Sequence, residues 1–145
     1  MEDYKVINAS NLSLGRLSSM VAKQLLTGDK VVIVNAENAI ISGHKNDIVK
    51  KYRVRLNLKD SANPEHSPYW SRRSDMLVKR VIRGMLPYGR ASGRAAYKNL
   101  RVYIGLPEEF KNNEIQELKI KDPKSMYSGF ITIKELSNLL GYNKG

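Results

Sequence analysis

The heptapeptide Lys30–Ala36, KVVIVNA, leaves this chain fewer folds than any other stretch. Val31, Val32, Ile33 and Val34 form an unbroken β-branched run between turn formers, with no polar face to offer water. Such a run suits a strand covered on both sides, as in a parallel sheet under helices. Upstream, Leu14, Leu17, Val21 and Leu25 recur at spacings of three and four, which predicts a helix from about Ser13 to Leu26, stopped by Gly28 with Asp29 opening the turn. Tyr4–Ala9 (YKVINA) reads as a short strand centred on Val6 and Ile7. Strand, helix and buried strand make a βαβ unit, whose crossover is expected to be right-handed.

Further along, Asn38–Ser42 predicts another short strand or turn, closed by Gly43. From Lys45 to about Lys59, Ile48, Val49, Tyr52, Leu56 and Leu58 give a helical stripe on a basic segment. Asp60–Tyr69 (DSANPEHSPY) concentrates turn formers and reads as a loop. Ser74 or Asp75 then caps a helix to about Met85, burying Leu77, Val78, Val81, Ile82 and Met85, with Lys79, Arg80 and Arg83 opposite. Pro87 ends it. Tyr88–Ala95 (YGRASGRA) reads as a loop with two glycines, and Leu100–Ile104 as a strand. Phe110, Ile115, Leu118 and Ile120 mark a short element of ambiguous type. Thr132-Ile133-Lys134-Glu135 is a capping box opening a terminal helix on Leu136, Leu139 and Leu140, with Gly141 as its stop. The 145 residues are expected to form one domain, 1–145.

Charge is distributed unevenly. Between Arg72 and Arg101 the chain carries nine basic residues and one acid, Asp75, so thirty residues hold +8 of the net +11. The nine are Arg72, Arg73, Lys79, Arg80, Arg83, Arg90, Arg94, Lys98 and Arg101. From Glu108 to Gly145 six lysines balance six acids. A local cationic surface implies a polyanionic partner more strongly than a uniform surplus does. Arginine outnumbers lysine seven to two in this segment, and a planar guanidinium meets phosphate bidentately and stacks on bases. Tyr69, Trp70, Tyr88, Tyr97 and Tyr103 are interleaved, as stacking on unpaired bases requires, although some of these rings must belong to the core. Gly89 and Gly93 each precede an arginine, and a glycine there would let the backbone approach a phosphate closely. Lys45, Lys50, Lys51, Arg53 and Arg55 form a second-rank patch whose direction depends on their helix.

Other chemistries find little support. There is no cysteine, hence no disulfide or thiolate metal site, which fits a reducing compartment. His44 and His66 are the only histidines and lack the partners of a metal or nucleophilic site. Gly84–Ala91 (GMLPYGRA) nearly matches the G-x4-G-K-[ST] phosphate loop. It has arginine for lysine and alanine for the magnesium ligand, and it follows a helix where a strand is needed. The N-terminus has no secretory pattern, and the longest clean apolar run near it, Val31–Val34, is far too short for a membrane span. No cofactor, metal, membrane or small-molecule substrate is expected, and a soluble intracellular protein is.

Arg83–Gly105, RGMLPYGRASGRAAYKNLRVYIG, closely resembles the signature of the L-thirteen family of large-subunit ribosomal proteins: a V-[RK]-G-M-L-P core, a basic glycine loop and an L-[KR]-V-Y-x-G strand. Ala9–Leu26 is similar to that family's first helix and Val32–Gly43 (VIVNAENAIISG) to its second strand and turn. The YWSRRSD approach to the third helix resembles the archaeal and eukaryotic forms, and the capped C-terminal helix the archaeal one. The resemblance runs from about Val6 to Tyr142. It implies a three-layer α/β/α fold with a four-stranded, mainly parallel sheet. It also implies a non-enzymatic, cytoplasmic role in the large ribosomal subunit, binding its rRNA beside neighbouring ribosomal proteins and supporting assembly. On matching positions it implies RNA contacts from the nine basic residues of 72–101, with Arg83 and Arg90 near the centre. A free RNA-binding translational regulator is the alternative.

Overall fold

Tyr4–Asn8 (β1) pairs in parallel with Lys30–Val34 (β2), setting Val6 beside Val32 and Ile7 beside Ile33. Leu14–Leu26 (α1) is the crossover between them. The computed structural model describes residues 4–116, 118, 120 and 129–142. Ile40–Ser42 (β3) and Lys45–Asn57 (α2) follow β2, then Ser74–Met85 (α3), Ala91–Lys98 (α4) and Leu100–Val102 (β4). Ile115–Gln116 (β5), Phe130–Thr132 (β6) and Ile133–Leu139 (α5) complete the order.

The main sheet runs β4-β2-β1-β5, and every pairing in it is parallel. The α/β class and four-stranded parallel sheet are as expected. β3 and β6 form a separate antiparallel pair. That pairing was invisible in the sequence because its partners lie about ninety residues apart and each is three residues long.

Alternation along the strands divides the interior in two. Ile7, Val31, Ile33 and Leu100 face Leu17, Val21 and Leu25 of α1, Leu77, Val78 and Ile82 of α3 and Leu136 of α5. Val6, Val32 and Val34 face the other way, under Phe110 of the 3-10 turn Glu108–Phe110, with Tyr4 and Tyr103 beside it. Among the described residues the helices therefore gather on one face, and aromatic rings pack on the other. All four β-branched residues of β2 are fully buried, as the run predicted. Gly28 ends α1 with φ +99°, its N–H donating to Leu25 O while Asp29 N donates to Gln24 O. That is the paired closure a left-handed residue permits after a helix.

Four local expectations need correction. The segment read as a loop, Tyr88–Ala95, contributes most of α4. Two glycines argued against helix, yet Gly93 is buried, and a Cβ built on it would meet Pro87 O at 2.1 Å. Its bare backbone allows the helix to sit against the Pro87 turn, so the close approach is internal. At α3 neither Ser74 nor Asp75 caps. The N-cap is Arg73, with no side-chain cap, and Ser74 and Asp75 lie buried in the first turn. The last residue, Met85, is 42% exposed, because the chain turns off before the stripe would bring it inward. At α5 Thr132 Oγ1 accepts from Glu135 N at 3.3 Å as expected. The Glu135 carboxylate, however, pairs with Lys45 instead of reaching back.

Candidate nucleic-acid interface

Along α3, Met76, Lys79, Arg80 and Arg83 fall on one side and Leu77, Val78 and Ile82 on the other. Burying the apolar stripe against the sheet and α1 therefore turns the cations outward. They do not hang free. The Arg80 guanidinium lies 4.5 Å from the Trp70 ring centroid, and Arg55, from α2, lies 4.9 Å from the same ring. Arg55 also sits 5.1 Å from Tyr52, whose ring meets Trp70 edge-on at 6.5 Å. Further along, Arg83 covers Tyr88 at 4.1 Å, Tyr88 meets Tyr97 edge-on at 5.4 Å, and Lys79 lies 5.1 Å from Tyr97. The result is a strip of alternating cations and rings drawn from α2, the Trp70 approach, α3 and α4. Cation–π contacts hold the guanidiniums over the rings without neutralising them.

A cleft of about 300 Å³ opens beside this strip, lined by Tyr69, Trp70, Met76, Arg80, Arg83 and Tyr97 among others. Arg73, which also lines it, is fixed by Asp75, Nε to Oδ1 at 3.2 Å and Nη2 to Oδ2 at 2.9 Å. Of the nine cations between 72 and 101, Arg73 alone pairs with a carboxylate among the described residues. The Ser137 hydroxyl, buried on α5, donates to Arg72 O at 2.6 Å. The electrically neutral C-terminal region thus anchors the lead-in to α3, a role no sequence signal announced.

The remaining predicted residues divide. Arg90, Arg94 and Lys98 are exposed on α4 and its N-cap, with Arg94 Nη1 donating to Gly89 O at 2.8 Å. Arg101 stands apart. It pairs in register with Val32, so it faces the second side of the sheet, where its guanidinium lies 4.9 Å from Tyr4. Sequence proximity grouped it with α3, but strand alternation sends it to the other face. Lys30 joins it there, 6.0 Å from the Tyr4 ring; neither Lys30 nor Tyr4 was singled out beforehand. Within the second-rank patch, Arg55 belongs to the main strip. Lys45 pairs with Glu135, Arg53 Nη2 reaches Leu139 O at 3.5 Å, and Lys50 and Lys51 are exposed on the outer face of α2. Tyr52 was read as core only; it is buried and also supports Arg55.

Burial raises the Tyr52 phenol above its ordinary 10.0, with the Arg55 charge and hydrogen bond opposing. Tyr97 is raised for the same first reason, with Arg83 opposing. A group raised in the folded state contributes its full stability below the unfolded pKa and loses it as pH climbs through the folded one. Above about pH 10 the unfolded chain sheds these protons first, so stability falls. Tyr52→Phe should make the decline in urea midpoint between roughly pH 9 and 11 shallower than in the parent chain. An identical decline would show that Tyr52 ionisation does not govern it.

The model of the family described as Ribosomal protein L13 matches residues 2–126. The chain belongs to that family. It is 45% identical over 138 residues to the large ribosomal subunit protein uL13 of Methanosarcina barkeri, covering 94% of this chain and 96% of that one. The uL13 of Sulfurisphaera tokodaii is 41% identical over 97% of this chain and 96% of its own. That of Archaeoglobus fulgidus is 39% identical over 97% and 90%. The family match spans α1 to α4, so every element that carries the cationic strip lies inside it. Among the described residues no helix is long and apolar enough to cross a membrane.

Proposed function

We propose that the whole chain, 1–145, acts as one RNA-binding domain and a structural constituent of the large ribosomal subunit, with its RNA-facing segment at about 70–105. The observation that carries this reading is the outward strip of α3: Arg80, Arg83 and Lys79 set over aromatic rings and without carboxylate partners among the described residues. Membership of a family whose relatives are named large ribosomal subunit proteins supports the choice of rRNA as the polyanion.

Binding of this kind makes and breaks no covalent bond. The cations neutralise crowded phosphates where RNA helices converge, and release of condensed counterions supplies much of the affinity. Arg72, Arg73, Arg90, Arg94 and Lys98 extend the contact on either side of the strip. Arg101 serves a second surface with Lys30, and neighbouring ribosomal proteins share the same RNA. Recognition rests mainly on backbone and shape, because side chains cannot read the deep, narrow major groove of A-form RNA.

Sedimentation tests the proposal. The protein should travel with large subunits at moderate salt and leave them steeply as salt rises. Protein that stays at the top of the gradient at low salt, with intact subunits below it, would refute the assignment.

A further inference from the structure

Tyr69 is 83% exposed, more than any other large apolar or aromatic side chain described. It stands at the rim of the cleft, with Tyr97, Met76 and Leu77 among the walls. A volume of about 300 Å³ lies at the small end of ligand sites and suits a single flat ring system. Walls of this kind are poor hosts for a bare phosphate, whose water they cannot replace. Arg73, Arg80 and Arg83, which share the lining, nonetheless favour an anion attached to whatever enters. In RNA, the flat aromatic group joined to a phosphate is a nucleotide.

We infer that the cleft receives one unpaired nucleobase of the bound RNA, stacked on Tyr69 and on the Arg80 guanidinium, with its flanking phosphates on Arg73 and Arg83. This deepens the RNA-binding reading and rests on it. Arg80 already has the Trp70 ring 4.5 Å away, and a planar guanidinium can carry an aromatic partner on each face. Arg73, which also lines the cleft, is held by its two hydrogen bonds to Asp75, which lowers the ordering cost of a phosphate contact. Ser71 Oγ accepts from Arg73 N at 3.2 Å, and its own proton can go to an acceptor on the base edge. A base held in a duplex cannot enter, so the cleft selects a bulged, looped or terminal nucleotide. Affinity for the RNA backbone and selection of one unpaired position are then separate properties of adjoining surfaces.

Trp70 is the only tryptophan in the chain and lines the cleft, so its fluorescence reports occupancy. The isolated protein is titrated with a short single-stranded oligoribonucleotide, with the same strand annealed to its complement, with an abasic strand of equal length, and with inorganic phosphate. Saturable quenching by the single strand alone is the expected result. Tyr69→Ala should raise the Kd of that quenching about tenfold, and Tyr69→Phe should restore it, since stacking needs the ring and not the hydroxyl. Because Tyr69 is solvent-exposed, neither substitution disturbs the core. Equal quenching by duplex, abasic strand or phosphate overturns the inference, as does a Kd indifferent to Tyr69→Ala. Parent protein that sediments with large subunits but is not quenched overturns the cleft alone. Protein that does neither overturns the RNA-binding reading beneath it.

Discussion

Gly93→Ala should lower the unfolding free energy by on the order of 3 kcal/mol, the upper range for forcing atoms into a filled space. The added Cβ would lie 2.1 Å from Pro87 O, 2.3 Å from Pro87 C and 2.9 Å from Tyr88 N. All three are backbone atoms, so no side-chain rotation relieves the overlap. The turn they belong to is itself tied, with Arg90 N donating to Pro87 O at 3.0 Å and Tyr88 N to Leu86 O at 2.7 Å. Either α4 moves off the turn or the turn opens, and both displace Tyr88 from beneath Arg83. A fall in thermal midpoint of roughly 10 °C follows from the size of the chain. Gly89→Ala is the internal control: a Cβ there meets nothing within 4 Å, so its change should stay within about 0.5 kcal/mol. Equal midpoints for the two variants would show that α4 does not need to touch the Pro87 turn.

Arg80→Gln combined with Arg83→Gln should weaken binding to large-subunit RNA on the order of ten- to a hundredfold at moderate salt. Glutamine keeps part of the aliphatic stem against Trp70 and Tyr88 while removing the charge. Loss of the two cation–π contacts should cost only about 1 kcal/mol of stability in total at these half-exposed sites. The decisive measurement is the salt titration. A guanidinium stacked by its faces, as at Arg80, still offers phosphate its N–H edge, so removing both charges should reduce the slope of log affinity against log salt by about 1.5. A weaker complex with an unaltered slope would mean that the two arginines position other groups and do not meet phosphate themselves.

These two expectations sit at opposite ends of what could be read from the residues. The outward set on α3 was legible, because a helix that buries Leu77, Val78 and Ile82 must expose Lys79, Arg80 and Arg83. The buried strand was legible for a similar reason. Val31–Val34 offers no polar face, and any fold containing it must cover both sides. Gly93 was not legible. Its two-glycine context is ordinary loop chemistry, and only the Pro87 carbonyl packed against it makes the residue a helix requirement. Glu135 was half legible: the cap geometry is local, but the choice between its own backbone and Lys45 depends on an element ninety residues away.

The sequence by itself determined the βαβ opening, the parallel sheet, the charge excess and the residue types suited to a polyanion. Each follows from periodicity or composition along a continuous stretch of chain. Only the tertiary structure decided which cations act together. It drew Arg55 from α2 onto Trp70, fixed Arg72 through Ser137, and sent Arg101 to the far side of the sheet with Tyr4. The physical reason is that a helix or strand dictates the direction of its own side chains, whereas a shared ring or cleft exists only after separate elements have packed.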